Sequence, residues 1–512
     1  MSATSSPAAI DVPHRGIITI SIMLATLIQS LDSTIANVAL PHMQGSLSAS
    51  QDQITWVLTS YIVAAAIATP LTGWLCDHFG KKLVLLTSIT GFTVASALCG
   101  ISVSLPMIIG ARLLQGLFGA ALVPLSQAIL LDINPREKQG QAMAIWGMGV
   151  MVGPILGPTL GGWLTDSYNW RWVFFINVPI GAFALFGVFT YINGEFVRQK
   201  TKFDLFGFAT LSIAIGSLQA MLDRGEQLDW FSSIEIWCET LACVISFLFF
   251  IIHTATARGK SFFNARLLVD RNYVTGLVFI FVVGVILFAT RALLPPMLQT
   301  LMNYPVATAG LVVAPSGFGT MFAMMLAGRL LGRIDLRFIL FSGLALTAFS
   351  LWQMSGYAIV LSERNIVWPG VIQGLGLGLV FVPLSTMTFA TLAPDMRADG
   401  TAIFSLIRNI GSSIGISVVQ TMLTRHTQIV HSSLVEHVSR FKPFLQNPSG
   451  GSLSTFALAA LDRQINEQAA MIGYIDDFKF MMWMSIMVIP LLLIIRPPKR
   501  NMAGEAAHAV MD

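Results

Sequence analysis

Apolar residues fill this chain in long runs broken by short polar stretches. Runs of about 20 residues, the length a helix needs to cross the hydrocarbon core of a bilayer, fall at 15–37, 54–75, 83–103, 107–131, 141–165, 173–193, 205–222, 235–254, 274–299, 306–328, 336–357, 366–391, 398–423 and 479–496. The pattern predicts an all-α polytopic membrane protein with fourteen transmembrane helices.

The fifth run carries Gly149, Gly153, Gly157 and Gly161, with Pro154 and Pro158 between them. Residues four apart are neighbours on a helix surface, so the glycines form one ridge. A soluble helix would lose about 1 kcal/mol per glycine and about 3 per proline relative to alanine. In a bilayer the pattern is tolerated, because small residues let two backbones touch and partner helices satisfy the freed carbonyls. Two readings are open: a bendable helix in a two-state machine, or a tight static contact.

Composition agrees with the run pattern. The chain is 54% hydrophobic and 11% charged, against about 25% charged in soluble domains. Charge placement gives orientation. One set of short connections holds Arg15, Lys81, Lys82, Arg136, Lys138, Arg198, Lys200, Lys202, Arg258, Lys260, Arg266, Arg271, Arg329, Arg333, Arg337 and Arg397, with Arg496, Lys499 and Arg500 after the last span. The opposite short loops hold only Arg171, Arg224 and Arg364. By the positive-inside rule both termini are cytoplasmic. Residues 1–13 are polar and the run from Gly16 is long enough to stay in the membrane, so no cleaved leader is expected. The four cysteines suggest neither a metal site nor a disulfide framework.

Charges inside spans are costly and point to function. Asp32 is the acidic residue deep in an apolar run, and Gln29, Asp32, Ser33 and Asn37 share one stripe of the first helix. Such a stripe lines a cavity, where a carboxyl could load and release a proton. A static hydrogen bond or ion pair between helices is the other reading. Arg112, in the fourth span beside Gln115, needs a carbonyl, carboxylate or water partner, and a mobile pair with an acid would couple protonation to helix movement. Arg291 lies nearer the outer end of its span and is placed to snorkel. Arg408, beside Asn409 and small residues, is expected to cap a neighbouring helix at an interface.

The inner loop Gly73 to Lys82 holds Asp77, which could cap the next helix or bridge to an arginine, and Gly80, which permits a tight turn ahead of Lys81. A weaker echo runs from Gly328 to Arg337, the mark of an internally repeated transporter. The long outer segment 424–478 has a break at Asn447 to Ser452 and a helix-like run from Thr455 to Met471. It reads either as a small cap or as a docking surface.

No catalytic or metal-binding constellation is legible. His431, Glu436 and His437 lack the HExxH spacing, no P-loop occurs, and the glycines at 374, 376 and 378 lie within an apolar run, as helix packing requires. Neither an enzyme nor a nucleic-acid partner is expected.

Taken together, these motifs resemble the major facilitator superfamily, and within it the fourteen-span drug:proton antiporter family. The run Leu31 to Pro41 is similar to the first-span signature of that branch, Gly73 to Lys82 to the superfamily loop motif, Arg112 to Gly116 to the fourth-span proton-transfer motif, and Gly149 to Gly162 to the fifth-span antiporter motif. Leu222 to Phe231 resembles the corresponding outer loop of the EmrB subfamily. The resemblance implies a cytoplasmic tail at 1–14, a six-helix bundle at 15–196, two inserted helices at 197–258, a second bundle at 259–496 containing the outer loop 424–478, and a tail at 497–512. It further implies rocker-switch export of hydrophobic or amphipathic drugs across a bacterial inner membrane. On that resemblance the energy source would be the proton gradient, with no cofactor, and the partners would be a periplasmic adaptor and an outer-membrane channel. Asp32 and Arg112 would couple protons; Gln29, Ser33, Asn37, Gln115 and Arg291 would line the cavity; Gly73, Asp77, Gly80 and Lys81 would form the gate. The 34 Phe and 24 Met suit a permissive apolar pocket. The alternatives are a dedicated exporter of one metabolite or lipid and a non-transporting receptor. Arg291 stands where that family leads one to expect an apolar residue, and the second-half loop motif is degenerate.

Overall fold

A computed structural model describes residues 14–192, 203–257, 264–436 and 455–495. The tails expected at 1–14 and 497–512 lie almost wholly outside these residues, as do the inner connections at 193–202 and 258–263 and the break at Asn447 to Ser452.

Seventeen α-helices follow one another: α1 (Arg15–Ser46), α2 (Gln51–Ala68), α3 (Leu71–Phe79), α4 (Lys81–Gly100), α5 (Leu105–Gly119), α6 (Leu122–Ile133), α7 (Arg136–Ser167), α8 (Trp172–Phe175), α9 (Asn177–Tyr191), α10 (Leu205–Arg224), α11 (Ile234–Thr256), α12 (Arg271–Pro296), α13 (Val306–Leu330), α14 (Leu336–Met354), α15 (Glu363–Ala390), α16 (Arg397–Glu436) and α17 (Thr455–Val488). Twelve segments are long and apolar enough to cross a membrane, counting α5 with α6 and α8 with α9, and the pair α2–α3, bent by 56°, makes a thirteenth. Each of these coincides with a run read from the sequence. The fourteenth run falls on the inner part of α17 and the turn after it; the outer part of α17 carries Asp476, Asp477 and Lys479, which dilute its hydropathy.

Local chemistry explains where the helices begin. Ser50 and Gln53 form a reciprocal capping box at α2, which satisfies two of the donors a helix start leaves open. Asp204, Asp270 and Asp335 each accept a backbone N–H at the start of α10, α12 and α14. Gly80 and Gly332 adopt φ 84° and 87°, a region L-residues avoid. The two glycines sit at the same turn of the loop motif and its echo, so the degenerate copy keeps the backbone conformation of the first.

Helices α1–α9 pack as an N half and α12–α17 as a C half, with α10–α11 against α2 and α16 through Ala66, Leu211, Ile215, Phe250 and Leu406. Glycines set the closest approaches. A methyl at Gly284 would lie 2.5 Å from the carbonyl oxygen of Arg408, and one at Gly411 equally close to that of Phe281. Gly374 and Gly378 of α15 abut Ser316 and Thr320 of α13, while Gly376 abuts Gly343 and Thr347 of α14. The Gly374–Gly378 run is thus helix packing, as its apolar setting indicated.

The outer segment 424–478 differs from a loop. Its described arms are helical continuations of α16 and α17, held together by His426–Asp476 (3.4 Å) and His431–Asp462 (3.3 Å) and by Gly473 seated against Leu423 and Thr427. A sequence reading stops the spans where polar residues begin, yet helix continues because two amphipathic arms can pair outside the bilayer.

Candidate functional site: a sealed ion pair beside the glycine ridge

Asp32 is 0% exposed and Arg112 1%. Arg112 Nη1 donates to Asp32 Oδ2 at 2.6 Å. Gln115 Nε2 and Asn177 Nδ2 both donate to Asp32 Oδ1, at 2.9 and 3.1 Å. Asn177 also donates to Ser96 Oγ, which donates to the Phe174 carbonyl. On the far side, Arg112 Nε donates to the Val57 carbonyl at 3.0 Å, and its guanidinium lies 4.3 Å from the Tyr61 ring centre. Every helix of the N half except α3, α6 and α7 contributes to this network. A buried pair is tolerable only when its remaining bonding capacity is met, and removing one partner costs about 3–5 kcal/mol. Here the carboxylate accepts three bonds and the cation has a carbonyl and an aromatic face.

The stripe Gln29–Asp32–Ser33–Asn37 divides. Asp32 turns into the bundle, whereas Ser33 and Asn37 are exposed and bond to carbonyls of their own helix. Gln115, read from sequence as a cavity residue, belongs to the ion pair. Sequence reasoning did not single out Asn177, Ser96 or Tyr61. Asn177 carried the one available signal, a carboxamide within the apolar start of the sixth run.

Beside Asp32, α1 meets the glycine ridge. A methyl on Gly153 would lie 2.7 Å from the Ser30–Leu31 backbone, and Gly149, Gly157 and Gly161 face Met23, Thr34 and Ile35. Helix α7 runs unbroken through Pro154 and Pro158. Proline lacks the N–H that would bond the carbonyl four residues earlier, so Pro154 orphans the Val150 carbonyl. Ser30 Oγ donates to that oxygen at 2.8 Å, and Thr34 Oγ1 donates to the Gly153 carbonyl at 3.3 Å.

At the inner end the two halves touch. Lys81 pairs with Asp132 at 2.5 Å, and Arg397 of the C half donates to Asp132 at 2.8 Å and to the Leu131 carbonyl at 3.0 Å. Gly73 meets Asp399 so closely that a methyl there would lie 3.1 Å from the Asp399 Cα and nearer still to its carboxyl. Asp77 neither caps α4 nor pairs with an arginine among the described residues; the cap position is Gly80, which has no side chain to bond, and Lys81 pairs with Asp132.

Two further sequence expectations are corrected. Among the described residues Arg408 caps no helix: its Nε is buried without a partner, and it is the backbone of Arg408 that packs at the interface. Asn409 is half-buried beside it. Arg291 does not snorkel to the surface; Nη2 reaches Met151 Sδ of α7 at 3.6 Å, across the boundary between halves. Among the described residues its guanidinium has no carbonyl or carboxylate partner. The outer loop Leu222 to Phe231 ties the inserted helices to both halves, through Asp223 to Thr59 and Trp230 Nε1 to Thr421 at 3.0 Å.

Two helical halves that meet along α7 and at their inner ends, the first of them enclosing a sealed ion pair, have the architecture of a membrane transporter. The profile of the Major Facilitator Superfamily matches residues 22–416, and the chain belongs to that superfamily. It is 37% identical over 504 residues to the multidrug export protein EmrB of Escherichia coli (strain K12), covering 96% of this chain and 98% of that protein. It is 33% identical over 495 residues to the fatty acid resistance protein FarB of Neisseria gonorrhoeae, covering 95% and 97%. The human organic anion transporter MFSD10 superposes with a TM-score of 0.63 at 14% identity, covering 94% of this chain and 100% of that one, a likeness of fold alone. The chain is an EmrB-like multidrug efflux protein, multi-pass in a bacterial inner membrane. Its partners include small-molecule substrates and the lipid bilayer.

Proposed function

We propose that this protein is a proton-coupled antiporter, exporting hydrophobic or amphipathic compounds by rocker-switch alternating access. The observation that carries the reading is the Asp32–Arg112 pair, buried at 0% and 1% exposure on the helix that packs against the glycine ridge. A proton arriving on Asp32 removes its charge and leaves Arg112 with only neutral partners, the Gln115 and Val57 oxygens and the Tyr61 face. An uncompensated cation in an apolar bundle is costly, so the bundle must rearrange to rehydrate or re-pair it. Helix α1 bears Asp32 and can shift along α7, where glycines offer little steric resistance. Relief of that strain opens the inner contacts at Gly73–Asp399 and Lys81–Asp132–Arg397. The proton gradient supplies the energy, with no cofactor.

We further propose that the pump works in a tripartite assembly with a periplasmic adaptor and an outer-membrane channel. The helical hairpin outside the bilayer supports this, because it exposes Ile429, Val435 and Leu458 (63%, 43% and 50%), apolar residues without a visible reason to face water.

The test is reconstitution in liposomes with an acidic lumen, followed by addition of candidate drugs. Drug-dependent proton release that is lost in Asp32→Asn supports antiport. Release that persists in Asp32→Asn, or none for any compound, overturns it.

A further inference from the structure

Four charged residues lie mid-span in the two halves, and their partners are unequally distributed. In the N half Asp32 and Arg112 cancel. In the C half neither Arg291 nor Arg408 has a carboxylate within ion-pairing distance among the described residues. Arg291 spends one donor on the soft sulfur of Met151, at 3.6 Å. A guanidinium carries five donors in a planar fork and pairs best with an oxyanion.

The place this cation occupies is specific. Helix α7 has two working faces. The ridge 149, 153, 157, 161 meets α1, and the stripe 147, 151, 155 meets the C half. Gly147 abuts Met324 and approaches Phe381, Met151 meets Arg291, and Ile155 abuts Gly317. Arg291 thus sits at the boundary that alternating access must open, with apolar side chains along the same stripe. Gly284 abuts the backbone of Arg408, and Arg291 is seven residues further along α12, so the backbone that carries the second cation lies roughly 10 Å deeper.

We propose that the boundary at Arg291 recognises amphipathic organic anions, carboxylates first among them. The anionic head pairs with the Arg291 fork, the apolar body lies along Met151, Met324 and Phe381, and Arg408 offers a second cationic station toward the inner end. The proposal rests on the export reading and adds to it the charge class of the substrate.

Binding and transport are measured separately. The wild-type protein and the Arg291→Gln and Arg291→Lys variants, in lipid nanodiscs, are titrated with dodecanoate, dodecanamide and dodecyltrimethylammonium, which share one alkyl chain. The wild type should bind dodecanoate about tenfold or more tighter than dodecanamide, the worth of a charge-assisted pair, and the cation weakest. Arg291→Gln should erase that preference with dodecanamide binding unchanged, and Arg291→Lys should keep part of it. Equal wild-type affinity for the carboxylate and the amide overturns the proposal. So does a preference that survives in Arg291→Gln, or equal weakening of all three ligands, which would mark Arg291 as a packing residue. A carboxylate preference in nanodiscs without proton release in liposomes would uphold the anion site while sinking the antiport reading.

Discussion

Ser30 Oγ donates to the Val150 carbonyl at 2.8 Å, and Val150 is the residue whose helical partner Pro154 removes. One hydroxyl on α1 therefore stands in for a missing amide on α7. One turn further along, Thr34 Oγ1 donates to the Gly153 carbonyl at 3.3 Å, so two α1 hydroxyls bond the α7 backbone along the glycine ridge.

Ser30→Ala leaves that carbonyl buried and unsatisfied, at a cost of about 1–3 kcal/mol. A lower melting temperature with residual export is expected, measured by thermal unfolding in detergent and by drug accumulation. Gly153→Leu drives a side chain into the Ser30–Leu31 backbone and should abolish export or folding; normal activity would show that the ridge is not a tight contact.

Asp32→Asn keeps shape and removes the titratable group. Proton release on drug addition should vanish while expression persists. The variant leaves Arg112 uncompensated, so stability should fall by about 3–5 kcal/mol. Adding Arg112→Gln should recover most of that loss without restoring coupling. A double variant that still couples would place the proton elsewhere.

Gly73→Ala puts a methyl against Asp399 and favours separation of the inner ends. Cysteine pairs introduced across the halves at that end should crosslink more slowly than in a background with Gly73 intact. Unchanged crosslinking would mean that Asp399 simply turns aside.

Much of this was legible in the chain. Thirteen of the fourteen runs coincide with segments long and apolar enough to cross a membrane, and Asp32, Arg112 and the glycine ridge stood out because charge and backbone exposure are both expensive in lipid. What the sequence concealed is direction. Helical spacing put Asp32 with Ser33 and Asn37, and only packing turns Asp32 inward to Asn177, a residue 145 positions away. Arg408 and Arg291 looked like a cap and a snorkelling charge because their surroundings in the fold come from other helices. The arm from Thr455 was legible as helix, whereas the extension of α16 past residue 423 was not, because the apolar signal ends where the bilayer does while hydrogen bonding carries the helix on.

Deleting much of 430–470 removes the paired arms beyond the membrane. Transport in liposomes should persist while resistance in cells falls. Equal loss in both assays would make the hairpin part of the folded pump.

The unpaired arginines of the C half have an electrical consequence. A neutral compound exchanged for one proton moves one charge through the membrane field, worth about 2.3 kcal/mol per 100 mV. An anion leaving as a proton enters moves two charges in the same electrical sense, and the same voltage then contributes roughly twice as much. A pump loaded at Arg291 would draw on the membrane potential as well as the pH difference, and would keep exporting anionic cargo at external pH values where the proton gradient alone has collapsed.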